Sequence, residues 1–474
     1  MTPPIAANFI AIAITAFGIG SLNPLPTIAS GIALIIIVRT LWLPRLPPVP
    51  LFASTFQWLQ VAGPIFSANL EGKRLSEDFE QGIYYEYAAW LSLAAIVTLS
   101  IGMRLGIRNF RYQPQVIEQH SRQLSLSRLF VAYLFCSVLS TGLTWLSWRA
   151  GGLRQPLLAF ASIKWIPVFL IFWATTYSNK PKTVMLIVLA IEVIIGFSGF
   201  FSGFKNVLFV YMIAVAGVVK SLMKPQLLLG ATATLVLALF WQAIKNDYRN
   251  FLNQGTGMQE VSVPVTARIK FLMKAATTVS GEDLREGFVT GFTRLGYIGY
   301  FAHSLNHVPR KEPHQGGNLW LGAIKHFLMP RFFFPDKPEI NESKRTQQFT
   351  GMFIPGSDRG TSISIGYVGE SYIDFGYIGM FVPIFLLGYL FGRTFRFFLD
   401  RSAFCLLGLA ISTTILLTFA LNFGASNISM IGGFVTAFIA YLLMLGFLDK
   451  KIWRWIAPPD RQKIQPANII IKRL

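Results

Sequence analysis

Residues that could do chemistry are concentrated in one polar segment, residues 244–370, which separates two groups of apolar stretches. This segment contains 15 of the 42 Lys and Arg residues and four of the five histidines, namely His303, His307, His314 and His326. Arginine and lysine bind phosphate groups, and histidine can gain or lose a proton near neutral pH. We therefore expect any chemistry of this chain to lie in the segment.

Metal chemistry is not indicated by the residue spacing. The histidines are 4, 7 and 12 positions apart, which gives one helical pair, His303 and His307, without a nearby acidic third ligand. No Asp-x-Asp motif occurs, and Cys136 and Cys405 both fall inside apolar stretches, away from any Cys-based zinc motif. We predict a site without a metal or another cofactor.

The elements that must position these residues are apolar stretches of membrane-spanning length. The chain is 53% hydrophobic and 14% charged, and about twelve apolar runs reach 17 residues or more. This pattern predicts an all-α polytopic integral membrane protein of about 12 transmembrane helices, with residues 1–474 forming a single membrane domain. The predicted spans are 4–20, 25–43, 50–68, 84–103, 129–147, 157–178, 183–200, 206–222, 226–243, 371–392, 402–424 and 429–448.

The net charge of +20 is distributed in short basic clusters that flank the apolar runs, which argues against nucleic acid as a partner. If both termini are cytoplasmic, most of the Lys and Arg residues in the short loops and the C-terminal tail lie on the cytoplasmic side. Residues 244–370 then form a long, partly helical extracytoplasmic loop, and residues 450–474 form a basic cytoplasmic tail. No Lys or Arg precedes Arg39, so we expect the first run to be a retained span.

Helical periodicity continues inside the polar segment. The stretches VTARIKFLMKAATTV and DLREGFVTGFTRLGYIGYFAHSL space apolar residues at helical intervals. A third helix, GNLWLGAIKHFL, is predicted to begin at an Asn318 cap and to lie in the membrane interface.

Two motifs give the chain a family likeness. PRFFFPDKP, then GMFIPGSDRGTSISIGYVGESYIDFGYIG, with FTRLGYIGYFAHSLNHVP upstream, resemble the Wzy-type O-antigen and oligosaccharide repeat-unit polymerases, over about the last 200 residues. The resemblance implies a metal-independent glycosyltransferase of the bacterial inner membrane. It would transfer a growing glycan from undecaprenyl diphosphate to an incoming lipid-linked repeat unit. A chain-length regulator and a flippase stay open as further partners, besides membrane lipid.

Particular residues acquire roles from this resemblance. Displacement of a diphosphate from an anomeric carbon needs fixed cations, for which Arg294, Arg331 and Lys337 are the candidates. Arg294 matches a helical arginine of the family and shares a predicted helix face with Gly287 and Gly291, which would leave room for a bulky anion. Some family members also carry an arginine with a glycine at the eleventh position. Arg285 with Gly296 and Arg345 with Gly356 have this spacing, which 40 glycines also produce by chance.

The general base that takes the proton from the acceptor hydroxyl is either His326 or Glu370. His326 carries an imidazole that titrates near neutral pH, and Glu370 begins the predicted tenth span, where partial burial would raise its pKa. The alternative role of Glu370 is to pair with a basic neighbour or to cap its helix.

Charges within or beside the spans are further candidates for substrate binding. Lys164 and Glu192 lie in neighbouring predicted spans. Either they form an ion pair that fixes the packing of these spans, or Lys164 contacts substrate. Arg154 and Lys205 lie at the extracytoplasmic ends of spans in glycine-rich surroundings and could extend the basic surface.

Two other functions compete with polymerisation. An O-antigen ligase, which moves finished glycan to a terminal acceptor, belongs to the same class. A transporter or flippase of lipid-linked oligosaccharide also fits twelve spans and intramembrane charges. The long basic segment on one membrane face favours a reaction catalysed at that face over transport across the membrane.

Overall fold

The computed structural model describes residues 3–44, 46–108, 114–178, 180–200, 203–219, 224–256, 261–295, 297–331, 333–334, 336–337, 341–354 and 362–458. Throughout this part of the chain the regular structure is helical. The α-helices, in chain order, are α1 Pro3–Ile19, α2 Pro24–Leu41, α3 Val49–Leu70, α4 Ile83–Ile107, α5 Pro114–Gln123, α6 Leu126–Ser147, α7 Arg154–Ala161, α8 Trp165–Tyr177, α9 Thr183–Ser198, α10 Phe204–Val218, α11 Pro225–Leu252, α12 Val265–Thr278, α13 Gly281–Leu295, α14 Ile298–His307, α15 Asn318–Leu328, α16 Glu342–Thr350, α17 Tyr367–Gly379, α18 Phe381–Arg401, α19 Cys405–Phe419 and α20 Asn427–Ile456.

Seven helical segments in the described part of the chain are long and apolar enough to cross a membrane: α2, α4, α6, the α7–α8 pair, α11, α18 and α20. Helices α1, α9, α10 and α19 are apolar but shorter. In the most apolar windows of α6 and α11 only 22% of the residues are buried inside the protein, which suits helices that face lipid. The all-helical class is therefore confirmed, and these seven segments are candidate membrane spans by length and composition, while the count of twelve spans stays a prediction.

The most extensive helix pairing joins α4 to α18, which run parallel to each other. Gly102 and Gly106 on α4 face Gly388 and Gly392 on α18. A Cβ atom on any of the four would come within 2.1–2.4 Å of a backbone oxygen of the partner helix. Two small-xxx-small motifs thus allow the two backbones to touch, as in many membrane helix pairs.

A break between α19 and α20 lies against the middle of α3. Residues 420–426, which we call the 420–426 link, are irregular, and unpaired backbone groups inside a membrane protein are costly. Two glutamines of α3 satisfy them: Gln57 Nε2 donates to the Ala420 carbonyl at 2.8 Å, and Gln60 Nε2 donates to the Leu421 carbonyl at 2.7 Å. The hydroxyl of Tyr367 donates to Gln57 Oε1 at 2.7 Å and so connects α17 to the same network.

Several predicted boundaries differ from the structure. Helix α11 continues to Leu252, beyond the predicted span end at residue 243. The predicted tenth span is divided between α17 and α18, because Gly376 has a φ of 70° and a ψ of −168° that no α-helix contains. The helix expected to continue through Tyr297 ends at Leu295, and α14 begins at Ile298.

The ends of two further elements also differ. Helix α20 extends through the start of the predicted cytoplasmic tail to Ile456, and residues 459–474 of that tail lie outside the described residues. Helix α15 begins at Asn318, but its N-terminal amides are capped by Asp374 and not by the Asn318 side chain. The carboxylate of Asp374 accepts from the backbone N–H groups of Leu319 and Trp320 at 3.0 and 2.9 Å.

Candidate functional site

Four basic side chains, from the end of α15, the loop after it and α16, lie close together. We call His326, Arg331, Lys337 and Arg345 the basic cluster. The cations of Lys337, Arg331 and Arg345 all act on the His326 ring. The predicted residues His326, Arg331 and Lys337 are thus brought together.

His326 lies in the last turn of α15 with its ring partly buried. Burial and the charges of Lys337, Arg331 and Arg345 act in the same direction and together lower the pKa of the ring to about 4, with burial as the main cause. The expectation that His326 titrates near neutral pH is therefore wrong, because an imidazolium would repel three cations. At pH 7 its imidazole is neutral and can accept a proton.

Lys337 and Arg331 extend the cluster from the loop after α15. The ammonium group of Lys337 donates to the backbone carbonyl of His326, one of the carbonyls that a helix C-terminus leaves unpaired. An ammonium has three N–H donors, so this hydrogen bond does not use all the donors of Lys337. Burial lowers the pKa of Lys337, and so does the charge of Arg331. The two cations are close enough to repel each other, which an anionic ligand would relieve.

Arg345 is the member on α16, with a side chain that is 20% exposed. Its Nη1 is 3.5 Å from Glu370 Oε1, which is within the range of an ion pair but long for a hydrogen bond. That nitrogen is buried and has no hydrogen-bond partner in the structure. A buried guanidinium N–H without a partner is an available donor for an anion.

Glu370, on α17, has structural partners on two other helices, α16 and α20. Its Oε2 accepts from the backbone N–H of Asn427 at 2.8 Å, so that it caps α20 and not its own helix α17. Burial raises the pKa of Glu370 to about 7, against the opposing effect of the Arg345 charge. Next to it Glu342 accepts from the hydroxyls of Ser426 and Ser362. Glu370 therefore holds α16, α17 and α20 together, and it is 1% exposed.

A cavity of about 460 Å³ lies on the other side of the 420–426 link. It forms where α7 and α8 are separated by a short 3-10 turn, Ser162–Lys164, near the midpoint of the candidate span Gly151–Tyr177. We call it the link cavity. Its polar lining consists of Gln60, Ser162, Lys205, Asn206, Thr414, Thr418 and Asn422, and its aromatic lining of Phe56, Trp165, Phe209 and Tyr297.

The predicted charges near the spans are distributed unequally around this cavity. Lys205, at the start of α10, lines it. Lys164 does not, because its ammonium pairs with Glu192 Oε2 at 2.7 Å and Glu192 also accepts from the Tyr133 hydroxyl at 3.0 Å. Arg154 is exposed at the start of α7, with its guanidinium 4.4 Å from the Trp148 ring. Of the three, Lys205 is the one that lines the link cavity.

Arg294 lies on α13 by its backbone, three residues before the cavity-lining Tyr297, and its side chain lies outside the described residues. The expected space beside Gly287 and Gly291 is filled by α11. A Cβ on Gly287 would be 3.2 Å from the Leu239 carbonyl, and one on Gly291 would be 3.5 Å from Gln242. These glycines allow two helices to pack closely and leave no room there for an anion.

Sequence reasoning missed two features of the site. Arg345 was marked only by its spacing to Gly356, which lies outside the described residues. Its role depends on the neighbouring Glu370, which is 25 positions away in the sequence and adjacent only after folding. Gln57 and Gln60 on α3 are the second feature, and the sequence does signal it, since two amides three positions apart in an apolar helix need polar partners.

The comparison with protein families gives one match. Residues 85–396, more than half of the chain, match the model of a family described as "Domain of unknown function (DUF8712)". The matched region includes the basic cluster and Lys205 and ends before the 420–426 link. No curated protein and no solved structure matches the chain.

Proposed function

The chain belongs to the DUF8712 family, and because that family is described only by its unknown function, we propose an activity from the site itself. We propose a membrane glycosyltransferase that polymerises oligosaccharide repeat units linked to undecaprenyl diphosphate into O-antigen or exopolysaccharide. The proposal places the enzyme in a bacterial inner membrane, with both termini cytoplasmic and the basic cluster on the outer side.

The observation that carries this proposal is the basic cluster. Three cations lie near one neutral imidazole, and one of them, Arg345, has a buried N–H without a hydrogen-bond partner. A diphosphate leaving group carries several negative charges, and fixed cations stabilise them more strongly in a partly buried site than in water. Arg331, Lys337 and Arg345 would hold the diphosphate. Arg294 remains a candidate for the same role.

In the proposed reaction the acceptor hydroxyl of one repeat unit attacks the anomeric carbon of the glycan on the other carrier. The new carbon–oxygen bond forms as the bond from that carbon to the diphosphate breaks, and its electron pair leaves with the diphosphate. The neutral His326 ring takes the hydroxyl proton. Glu370 is less suited to this step, since its oxygens already bind Arg345 and the start of α20.

The link cavity gives the transport alternative its support. Substrate sites of many transporters lie near the bilayer midplane beside broken helices, and here both the α7–α8 pair and the α19–α20 pair are broken. A flippase would move the lipid-linked unit without lengthening its glycan, so chain length distinguishes the two functions. A ligase would also leave repeat units unpolymerised.

Substitution of the cluster cations tests the proposal in cells. In a strain that lacks the chromosomal gene, plasmid-borne Arg331→Met and Lys337→Met should each reduce polymer by about 10²- to 10³-fold, as expected when one contact to the transition state is lost. Lys344→Met is the matched control, because Lys344 is exposed one residue before Arg345. Gel separation of the glycans gives the polymer length, and immunoblotting of membranes gives the protein level.

Normal polymer from both variants, at membrane levels equal to the wild type, would contradict a diphosphate site at the basic cluster. A deletion strain whose lipid-linked units accumulate on the cytoplasmic side, and not as single units on the outer side, would contradict the polymerase and favour the flippase.

A further inference from the structure

The link cavity contains one charge. Among the described residues that line it, Lys205 is the cation, and the other polar groups are amides, hydroxyls and the indole N–H of Trp165, all of them neutral. The side chain of Lys205 is exposed toward this space, and no described carboxylate pairs with it, in contrast to Lys164, which pairs with Glu192 at 2.7 Å. An ammonium among apolar spans without a counter-charge is costly, so a ligand of this cavity should bring one negative charge.

The remaining lining has the composition of a carbohydrate site. The side-chain amides of Asn206 and Asn422 can donate and accept hydrogen bonds, as sugar hydroxyls require, and Thr414 and Thr418 add hydroxyls on one side of α19. Trp165 and Tyr297 provide aromatic faces with polar edges. A volume of about 460 Å³ lies within the range of pockets that bind small molecules.

We propose that the link cavity binds a sugar residue that carries a carboxylate, with Lys205 as the counter-ion of that carboxylate. A single lysine matches a single negative charge, whereas a diphosphate carries more charge and has three cations available in the basic cluster. The inference rests on the proposed function, because it names an acidic sugar as a component of the repeat unit. It assigns Lys205 to the glycan and not to the diphosphate.

Binding measurements on the full chain in lipid nanodiscs test this assignment. The probes are methyl glucuronide, methyl glucoside and inorganic pyrophosphate, followed by calorimetry and by saturation-transfer NMR. Wild-type protein should bind the glucuronide at least tenfold more tightly than the glucoside. Lys205→Met should remove this preference, and Lys205→Arg should keep most of it because the positive charge stays.

Lys182→Met is the matched control, since Lys182 is an exposed lysine before α9 and outside the cavity lining. It should bind both sugars as the wild type does. Equal binding of the two sugars by wild-type protein would overturn the inference, and so would an unchanged preference in Lys205→Met. Displacement of the glucuronide by pyrophosphate would also overturn it, because the cavity would then recognise phosphate.

The same preparation separates this inference from the proposed function. Elongation of lipid-linked units without any preference for the glucuronide would overturn the inference alone. A preference for the glucuronide that depends on Lys205, in protein that never elongates lipid-linked units, would support the site and contradict the polymerase.

Discussion

At the scale of single residues, the properties of the site depend on how burial and neighbouring charges shift the pKa of each group. His326 was predicted from the sequence as a base that titrates near pH 7, but burial and the nearby cations lower its pKa to about 4. Glu370 was predicted to have a raised pKa, and burial does raise it to about 7. The sequence could not indicate the size of either change, because Arg345 reaches both groups only through the fold.

The pH dependence of elongation distinguishes the two candidate bases. If neutral His326 is the base, the rate should be nearly constant from pH 5.5 to 7.5 and fall only toward pH 4, where its imidazole becomes protonated. Lys337→Met should move this acid limb to higher pH, because one repelling charge is lost, and Lys344→Met should leave it in place. The rate is measured with purified protein in liposomes that contain lipid-linked repeat units.

An acid limb near pH 7 in the wild type would point to Glu370 as the base instead. If Lys337→Met leaves the acid limb unchanged, His326 is not the base, whether or not Glu370 is.

At the scale of helices, apolar length predicted where helices occur better than where they end. The divided tenth span shows the reason, since the left-handed backbone of Gly376 depends on its surroundings and resembles any other glycine in the sequence. Polar contacts between distant parts of the chain could not be predicted from the sequence either. Gln57 and Gln60 are more than 360 positions away from the link carbonyls that they satisfy.

The close contact between α4 and α18 predicts strong sensitivity to added side-chain volume. Gly106→Val and Gly392→Val should each destabilise the protein by at least about 1–3 kcal/mol, because their Cβ atoms would come within 2.4 and 2.1 Å of backbone oxygens. Gly142→Val on α6 is the control, since nothing lies within 4 Å of a Cβ placed there. The midpoint of thermal unfolding in detergent gives the comparison, and equal midpoints for all three variants would contradict the packing of α4 on α18.

At the scale of the whole molecule, the sequence predicted the helical membrane class, and seven helical segments meet the length and hydropathy of spans. The number of spans and their orientation depend on the shorter helices α1, α9, α10 and α19, for which length alone does not decide. The shape of the site was also beyond the sequence. It depends on the break between α19 and α20, which covers the end of the predicted span 402–424 and the first residues of the gap after it.

Cysteine labelling tests the proposed orientation. In a background with Cys136→Ser and Cys405→Ser, a membrane-impermeant maleimide added to spheroplasts should label Gln348→Cys and should not label Lys451→Cys. Both positions are exposed, the first on α16 beside the basic cluster and the second near the end of α20. Labelling of Lys451→Cys alone would invert the orientation and place the basic cluster on the cytoplasmic side.

The central claim is that this protein lengthens a glycan on a diphosphate carrier. The direct test supplies undecaprenyl-diphosphate-linked repeat units to the purified protein in liposomes and separates the products by glycan length. We expect a ladder of products that increase by one repeat unit at a time, and ~10²-fold less product from Lys337→Met. Units that cross the liposome membrane but stay at one repeat, with wild-type protein correctly folded, would contradict the claim and identify a transporter.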